Sequence, residues 1–124
     1  MIEINRLLTN ICSKNLAESK SFYTSLFDFR IDYDSDWFVH LVSEGRELEL
    51  GLICESHEVV PGEVKGKPSG VYLTFVVKDV DELSKKTVEL GYQIIQSPEI
   101  TFYGQKRMLI VALEGTVCDV SSPS

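Results

Sequence analysis

The side chains of this sequence that could carry chemistry lie on short apolar strands. In residues 47–52, leucines at 48, 50 and 52 alternate with Glu47, Glu49 and Gly51. Because strand side chains point alternately to two faces, we expect the leucines to meet a helix and the carboxylates to lie on the opposite face. A carboxylate there can attract a cation or transfer a proton.

Two more strand residues, His40 and Arg107, carry ionisable side chains. His40 alternates with apolar neighbours, which favours a core or pocket histidine over a metal ligand, whereas His57 lies in a polar segment and is expected to be exposed. Arg107 opens an apolar strand, where its guanidinium can pair with Glu49 or Asp119 or hold a ligand anion as a bidentate fork.

Aromatic side chains offer flat area with polar handles, which suits a small-molecule site. Trp37, Tyr72 and Tyr103 are the candidates, while Phe102 is expected to pack in the core. Alternation separates Tyr72 from the apolar set at 71, 73, 75 and 77, so that it shares a face with Thr74.

Composition excludes several classes of protein. The chain has 124 residues with 12 basic and 19 acidic side chains, a net charge of −7 that argues against a nucleic-acid partner. The N-terminus lacks a signal-peptide pattern and no apolar run reaches the length of a membrane span, so we expect a cytoplasmic protein without a membrane partner. The three cysteines have no CxxC spacing and predict buried thiols.

A repeat organises the elements that must position these residues. Lys78-Asp79-Val80, with Glu82, matches Lys14-Asn15-Leu16, with Glu18, at a distance of 64 positions. In each copy the Asn or Asp is a helix N-cap, and we expect the Glu to reach back to the N–H of the cap residue. The repeat indicates a duplicated strand-to-helix module.

The complete pattern predicts an α+β fold of two βαβββ modules in a single domain. We expect helices from 16 to 27 and from 80 to 90, the second ended by Gly91, and strands near 6–13, 29–33, 37–42, 47–52, 71–77, 92–96, 106–112 and 116–121. Module one covers about 1–53, a polar connector 54–69 and module two 70–124. A curved mixed sheet with its polar faces turned inward and its helices outside would surround a cavity.

In these features the chain resembles the vicinal oxygen chelate superfamily, which contains glyoxalase I, extradiol dioxygenases, fosfomycin resistance enzymes and bleomycin resistance proteins. The resemblance rests on the residues from Asn15 to Tyr23, those from Val77 to Asp81, Tyr103-Gly104-Gln105-Lys106-Arg107, and Leu113-Glu114-Gly115-Thr116. It implies paired βαβββ modules around a ligand cavity, and a homodimer.

The resemblance also implies where a metal would be held. Aligned through the helix caps, the first-strand ligand positions are Leu8 and Tyr72, and the last-strand positions are Glu49 and Asp119. Leu8 and Tyr72 are not plausible ligands, and two carboxylates alone suit a transition metal poorly, so we expect no cofactor and disfavour a divalent metal. If both carboxylates face one cavity, the pKa of one of them should rise.

Three functions follow from the resemblance. We favour a metal-independent binding protein of the bleomycin-resistance kind that sequesters a cationic or aromatic small molecule, with Trp37, His40, Glu49, Tyr72, Tyr103, Arg107 and Asp119 as ligand-binding residues. The alternative is a lyase, isomerase or dioxygenase that uses a divalent metal, or proton transfer by Glu49 or Asp119. A module that binds another protein is the third.

Overall fold

A computed structural model describes residues 1–123 of the chain. It divides into two compact units, unit 1 (Met1–Lys67) and unit 2 (Pro68–Ser124). Each unit has one helix and one four-stranded mixed sheet, which confirms the α+β class and the two βαβββ modules.

Unit 1 contains, in chain order, β1 (Thr9–Ser13), α1 (Leu16–Phe27), β2 (Arg30–Asp34), β3 (Phe38–Val42) and β4 (Glu49–Cys54). The strand order in its sheet is β1-β4-β3-β2. The last strand therefore returns beside the first and pairs with it in parallel, while β2, β3 and β4 form an antiparallel meander.

Unit 2 repeats this topology with β5 (Leu73–Val76), α2 (Val80–Glu89), β6 (Gln93–Ile100), β7 (Gln105–Val111) and β8 (Val117–Pro123). Its strand order is β5-β8-β7-β6, again with a parallel pair between the first and last strands. Gly91 follows Leu90, the C-cap of α2, and has a φ of 78°, a conformation that glycine adopts at little cost, so the predicted helix end is confirmed.

The predicted helix caps are confirmed, with one change of partner. Asn15 Oδ1 accepts the backbone N–H of Glu18 at 3.1 Å, and Asp79 Oδ1 accepts those of Asp81 and Glu82 at 3.0 and 3.2 Å. The N–H of Asn15 donates to Ser13 Oγ at 3.2 Å, so the expected return contact from Glu18 was wrong. A serine two residues earlier satisfies that donor instead.

One face of each sheet is covered by its helix. In unit 1 the covered residues of β3 and β4 are buried with the inner stripe of α1, and the set comprises Val39, Leu41, Leu50, Leu52, Phe22, Tyr23 and Leu26. In unit 2 the corresponding set comprises Met108, Ile110, Cys118, Val120, Val80 and Thr87. We had expected Leu48 in this layer, but it precedes β4 and is 63% exposed.

The opposite face of the unit 1 sheet is covered at one end by the connector. Cys12, Ile53 and the connector residue Val60 form a buried apolar cluster, against which Trp37 packs. The indole of Trp37 stacks on His57, with ring centroids 4.2 Å apart and planes at 17°. His57 is therefore half-buried by this stacking, and the expectation of an exposed histidine was wrong.

The three cysteines of the chain are free thiols. Cys12 and Cys118 are buried as expected, whereas Cys54 is half-buried at the end of β4. Within residues 1–123, neither helix has the length and apolar character needed to cross a bilayer.

Candidate functional site

In unit 1, five charged or ionisable side chains form a continuous chain of contacts, which we call the His40 network: Arg6, Asp32, His40, Arg46 and Glu49. The imidazole is its centre, with Nε2 at 2.7 Å from Glu49 Oε1 and Nδ1 at 3.0 Å from Asp32 Oδ2. His40 lies on β3 opposite Gly51 of β4, so its ring lies on the sheet face that the helix does not cover. Only 11% of its side chain is exposed.

An arginine terminates each end of this network. Arg6 donates to Glu49 through Nη2 at 2.6 Å and through Nε at 2.9 Å to both carboxylate oxygens. Arg46 donates from Nη2 to Asp32 Oδ1 at 2.7 Å. Each carboxylate therefore lies between a guanidinium and the imidazole.

These contacts lower the pKa of both carboxyl groups. Hydrogen bonding from Arg6 is the largest cause for Glu49; it outweighs desolvation, which acts the other way, and with a further bond from His40 it brings the pKa to about 2. The pKa of Asp32 is lowered chiefly by its bond from Arg46. The expectation of a raised pKa therefore does not hold for Glu49, because its closest neighbour is the guanidinium of Arg6 rather than a second carboxylate.

In unit 2, six residues form a second group, the Arg107 cluster: Tyr72, Thr74, Tyr103, Arg107, Asp119 and Ser121. Asp119 and Ser121 are its buried members, and 9% of the Asp119 side chain is exposed. Its Oδ1 accepts Arg107 Nε at 3.1 Å and Ser121 Oγ at 3.0 Å, and its Oδ2 accepts Thr74 Oγ1 at 3.0 Å. The carboxylate is thus satisfied by three donors from β5, β7 and β8.

Arg107 uses only part of its donor capacity in this cluster. Within residues 1–123 its one side-chain hydrogen bond is the Nε bond to Asp119, and 27% of the side chain is exposed. The hydrogen bond to Asp119 raises the pKa of Arg107 against desolvation, and the charge of Asp119 and the phenol groups of Tyr103 and Tyr72 add to the increase. Tyr72 lies two residues before Thr74 and Tyr103 lies two residues before β7, so both flank the strands that carry this cluster.

Tyr72 and Tyr103 reach this cluster from loops. Tyr72 precedes β5 and is 58% exposed, and Tyr103 is 53% exposed in the β6–β7 turn. Thr101 closes that turn, since its N–H donates to the carbonyl of Gln105 at 2.7 Å. Phe102, at the tip, is fully exposed and contacts Tyr103 edge to face at 5.1 Å, so its predicted place in the core was wrong.

The strand registers show that Glu49 and Asp119 are not equivalent positions of the two modules. Thr9 pairs with Leu50 and Leu73 pairs with Cys118, so the first strands are offset by 64 positions and the last strands by 68. The counterpart of Asp119 is therefore Gly51. The alignment through the helix caps misplaced the last strand because the two meanders differ in length.

The sequence analysis did not identify the residues that form hydrogen bonds with the candidate site residues. Arg6 and Asp32 complete the His40 network, and Thr74 and Ser121 complete the shell of Asp119. Thr74 and Ser121 could have been found from strand alternation, because Thr74 pairs directly with Asp119 and Ser121 is two residues further along β8. Arg6 gave no such signal, because it precedes β1 and contacts a residue 43 positions away.

The residues at the expected metal positions do not make a good metal site. Leu8 offers no donor atom, and the carboxylates of Glu49 and Asp119 already accept hydrogen bonds from arginines. A bound cation would compete with a guanidinium at each carboxylate. Within residues 1–123, no three His, Cys, Asp or Glu side chains are grouped so as to bind a metal ion.

Comparison with known proteins identifies the class. The model of the Glyoxalase/Bleomycin resistance protein/Dioxygenase superfamily matches residues 4–116. The chain therefore belongs to this superfamily, as its repeated modules and sequence motifs predicted. A search of curated proteins finds no match.

Solved structures share the fold at low sequence identity. A glyoxalase/bleomycin resistance protein/dioxygenase family enzyme from Burkholderia phytofirmans is similar, with 22% identity, a TM-score of 0.78 and coverage of 94% of this chain and 97% of that one. The fosfomycin resistance protein FosX from Listeria monocytogenes has 13% identity and a TM-score of 0.76, with 100% and 96% covered. Lactoylglutathione lyase from Agrobacterium tumefaciens has 16% identity and a TM-score of 0.72, with 94% and 92% covered.

Proposed function

We propose that this chain is a metal-independent small-molecule-binding protein. The observation that carries the proposal is the Arg107 cluster, where a guanidinium whose terminal nitrogens make no hydrogen bond within residues 1–123 lies on a sheet flanked by two half-exposed tyrosines. Aromatic area beside a few convergent polar groups is typical of small-molecule sites. Similar folds occur in a fosfomycin resistance protein and a lactoylglutathione lyase, both named for small molecules.

Metal independence is part of the proposal and is supported by the donor set. Leu8 and Tyr72 occupy the first-strand positions, and arginine pairs with both last-strand carboxylates. The sequence suggested a cationic or aromatic ligand. Tyr72 and Tyr103 support the aromatic part, whereas a cation would have to displace Arg6 or Arg107 from its carboxylate.

The His40 network argues against an enzyme that relies on Glu49 for proton transfer. A carboxyl group with a pKa of about 2 is ionised near neutral pH and is a weak base. Both of its oxygens also accept hydrogen bonds from Arg6. We therefore place the alternative of a lyase, isomerase or dioxygenase second.

A ligand screen tests the binding function. Small aromatic molecules of either charge should raise the melting temperature of the purified protein, and Tyr72→Ala should abolish the increase. Val88→Ala is the matched control, since Val88 is similarly exposed but lies on α2. A screen without hits, or hits that Tyr72→Ala leaves unchanged, would contradict the proposal.

A metal titration tests the second part. Zinc, nickel, manganese and iron should leave the melting temperature unchanged, and elemental analysis should find no stoichiometric metal. A stoichiometric metal that is lost in Glu49→Gln but retained in Asp81→Asn would overturn metal independence. Asp81 is a suitable control because its carboxylate pairs with Lys106 at an exposed position.

The homodimer and the cytoplasmic location expected from the sequence also belong to this proposal. Val76, on the edge strand β5, is 74% exposed, and apolar side chains at a sheet edge support association. Light scattering of the purified protein should give twice the monomer mass of 14.0 kDa.

A further inference from the structure

We propose that the Arg107 cluster binds the carboxylate of a planar, aromatic anion, with Arg107 as the anion-binding residue and Tyr72 and Tyr103 as contacts for the ring. This inference rests on the proposed small-molecule function and specifies the ligand class. It replaces the cationic ligand expected from the sequence, because Arg107 presents hydrogen-bond donors at the exposed part of the cluster.

Asp119 binds Arg107 through a single hydrogen bond. Its bond goes to Nε, the nitrogen nearest the side-chain stem, and not to the two terminal nitrogens. An arginine bound in this way keeps the N–H groups of Nη1 and Nη2 for another acceptor. Carboxylates suit such paired donors because their two oxygens can accept two parallel bonds.

Asp119 could bind a cation only by giving up hydrogen bonds that its carboxylate already accepts. Three donors already bind its two oxygens, and the side chain is 9% exposed. Its negative charge is compensated by Arg107. A ligand that approaches the exposed part of the cluster therefore meets a guanidinium and phenol hydroxyls, which are all hydrogen-bond donors for an anion.

Glu99 lies directly opposite Arg107 on the neighbouring strand β6. Glu99 pairs with Arg107 in the β6–β7 register, is exposed, and makes no ion pair within residues 1–123. Directly opposed residues share a face, so this carboxylate repels a bound anion. The structure thus provides one residue whose removal should weaken binding and another whose removal should strengthen it.

Nuclear magnetic resonance titrations with four probes test the inference: benzoate, benzyl alcohol, benzylamine and inorganic phosphate. Benzoate should shift the Nε–Hε resonance of Arg107 and the amide resonances of Thr74 and Ser121. Benzyl alcohol and benzylamine should bind at least about tenfold more weakly, since one charge-assisted bidentate contact provides a factor of that order. Phosphate should bind more weakly than benzoate because it lacks a ring.

Substitutions make the test specific. Arg107→Lys, which keeps the charge but not the fork, should weaken benzoate binding several-fold, and Glu99→Gln should strengthen it about two- to fivefold. Arg30→Lys and Glu58→Gln are the charge-matched controls for these two variants, since Arg30 is exposed on β2 of unit 1 and Glu58 is exposed in the connector, and neither should have an effect. Because Glu99 makes no ion pair, its variant should fold even if the Arg107 variant does not.

The outcomes separate this inference from the proposed function. If benzylamine binds at the cluster as tightly as benzoate, or if Glu99→Gln weakens benzoate binding, the anionic ligand class is wrong while small-molecule binding stands. Phosphate that binds as tightly as benzoate would overturn the aromatic part of the inference. If neither these probes nor the wider screen bind, the proposed function fails as well.

Discussion

His40 Nε2 and Arg6 Nη2 both lie against Glu49 Oε1, at 2.7 and 2.6 Å. At its other nitrogen, His40 contacts Asp32, which Arg46 binds in turn. Each nitrogen of His40 thus contacts one carboxylate, so the imidazole joins the Arg6–Glu49 pair to the Asp32–Arg46 pair, and Arg6 Nη2 also lies 3.1 Å from His40 Nε2. The network joins β2, β3 and β4 to the segment that precedes β1.

The depressed pKa of Glu49 predicts how acid affects stability. Its value falls from 4.5 to about 2 in the folded protein, so the carboxylate contributes stability that is complete above pH 4.5 and is lost as pH falls toward 2. The difference in the free energy of unfolding between wild type and Glu49→Gln should therefore decrease across this range. Urea unfolding at a series of pH values measures it, and a difference independent of pH would refute the assignment.

A small residue is required at position 51. A Cβ built on Gly51 would overlap Asn10 Oδ1 and lie 3.0 Å from Phe38 Cε1. Gly51→Ala should therefore destabilise unit 1 by about 1–3 kcal/mol, the usual range for overpacking. In an Asn10→Ala background the cost should be smaller, and additive effects of the two substitutions in chemical denaturation would contradict this account.

The two helix caps should make similar contributions to stability. Asn15→Ala and Asp79→Ala each remove a side-chain acceptor from the first turn of a helix, and each should cost about 1 kcal/mol of unfolding free energy. Asp79 accepts two N–H groups and Asn15 accepts one, so the loss at Asp79 should be at least as large. Chemical denaturation of both variants provides the comparison, with Glu58→Ala, an exposed connector residue, as the control.

The stacking of Trp37 on His57 can be followed by fluorescence, because Trp37 is the only tryptophan in the chain. His57→Ala should expose one face of the indole, shift its emission to longer wavelength and increase quenching by acrylamide. His40→Ala is the control, since the ring of His40 contacts Asp32 and Glu49 instead. Unchanged quenching in His57→Ala would show that the connector does not cover Trp37 in solution.

The helices were predictable because their signals are local. The cap residues and the apolar stripes fixed both N-termini correctly and the C-termini to within a residue. The first strand was predicted from residue 6 but begins at Thr9, because alternation continues into residues that have no partner strand in unit 1. Phe102 shows the same limit, since an apolar side chain at a hairpin tip looks identical in sequence to a buried one.

The sequence predicted which sheet face a candidate site residue lies on, but not which side chains it contacts. Alternation correctly placed Glu49 away from the helix-covered layer, whereas its pairing with Arg6 depends on a side chain that lies outside any strand. The relation between Glu49 and Asp119 was lost for a similar reason. Helix caps fix the register of the first strand, and a difference in meander length shifts the last one.

The four-residue difference between the offsets of the first and last strands also has an evolutionary meaning. After a duplication, the two copies are free to diverge as long as each keeps its own topology, and here both retain the same strand order. The position of Asp119 corresponds to Gly51, where a Cβ would crowd the side chains of Asn10 and Phe38. The same strand order therefore carries a buried carboxylate in one half and no side chain at all in the other, so the two halves can differ in chemistry without a change of topology.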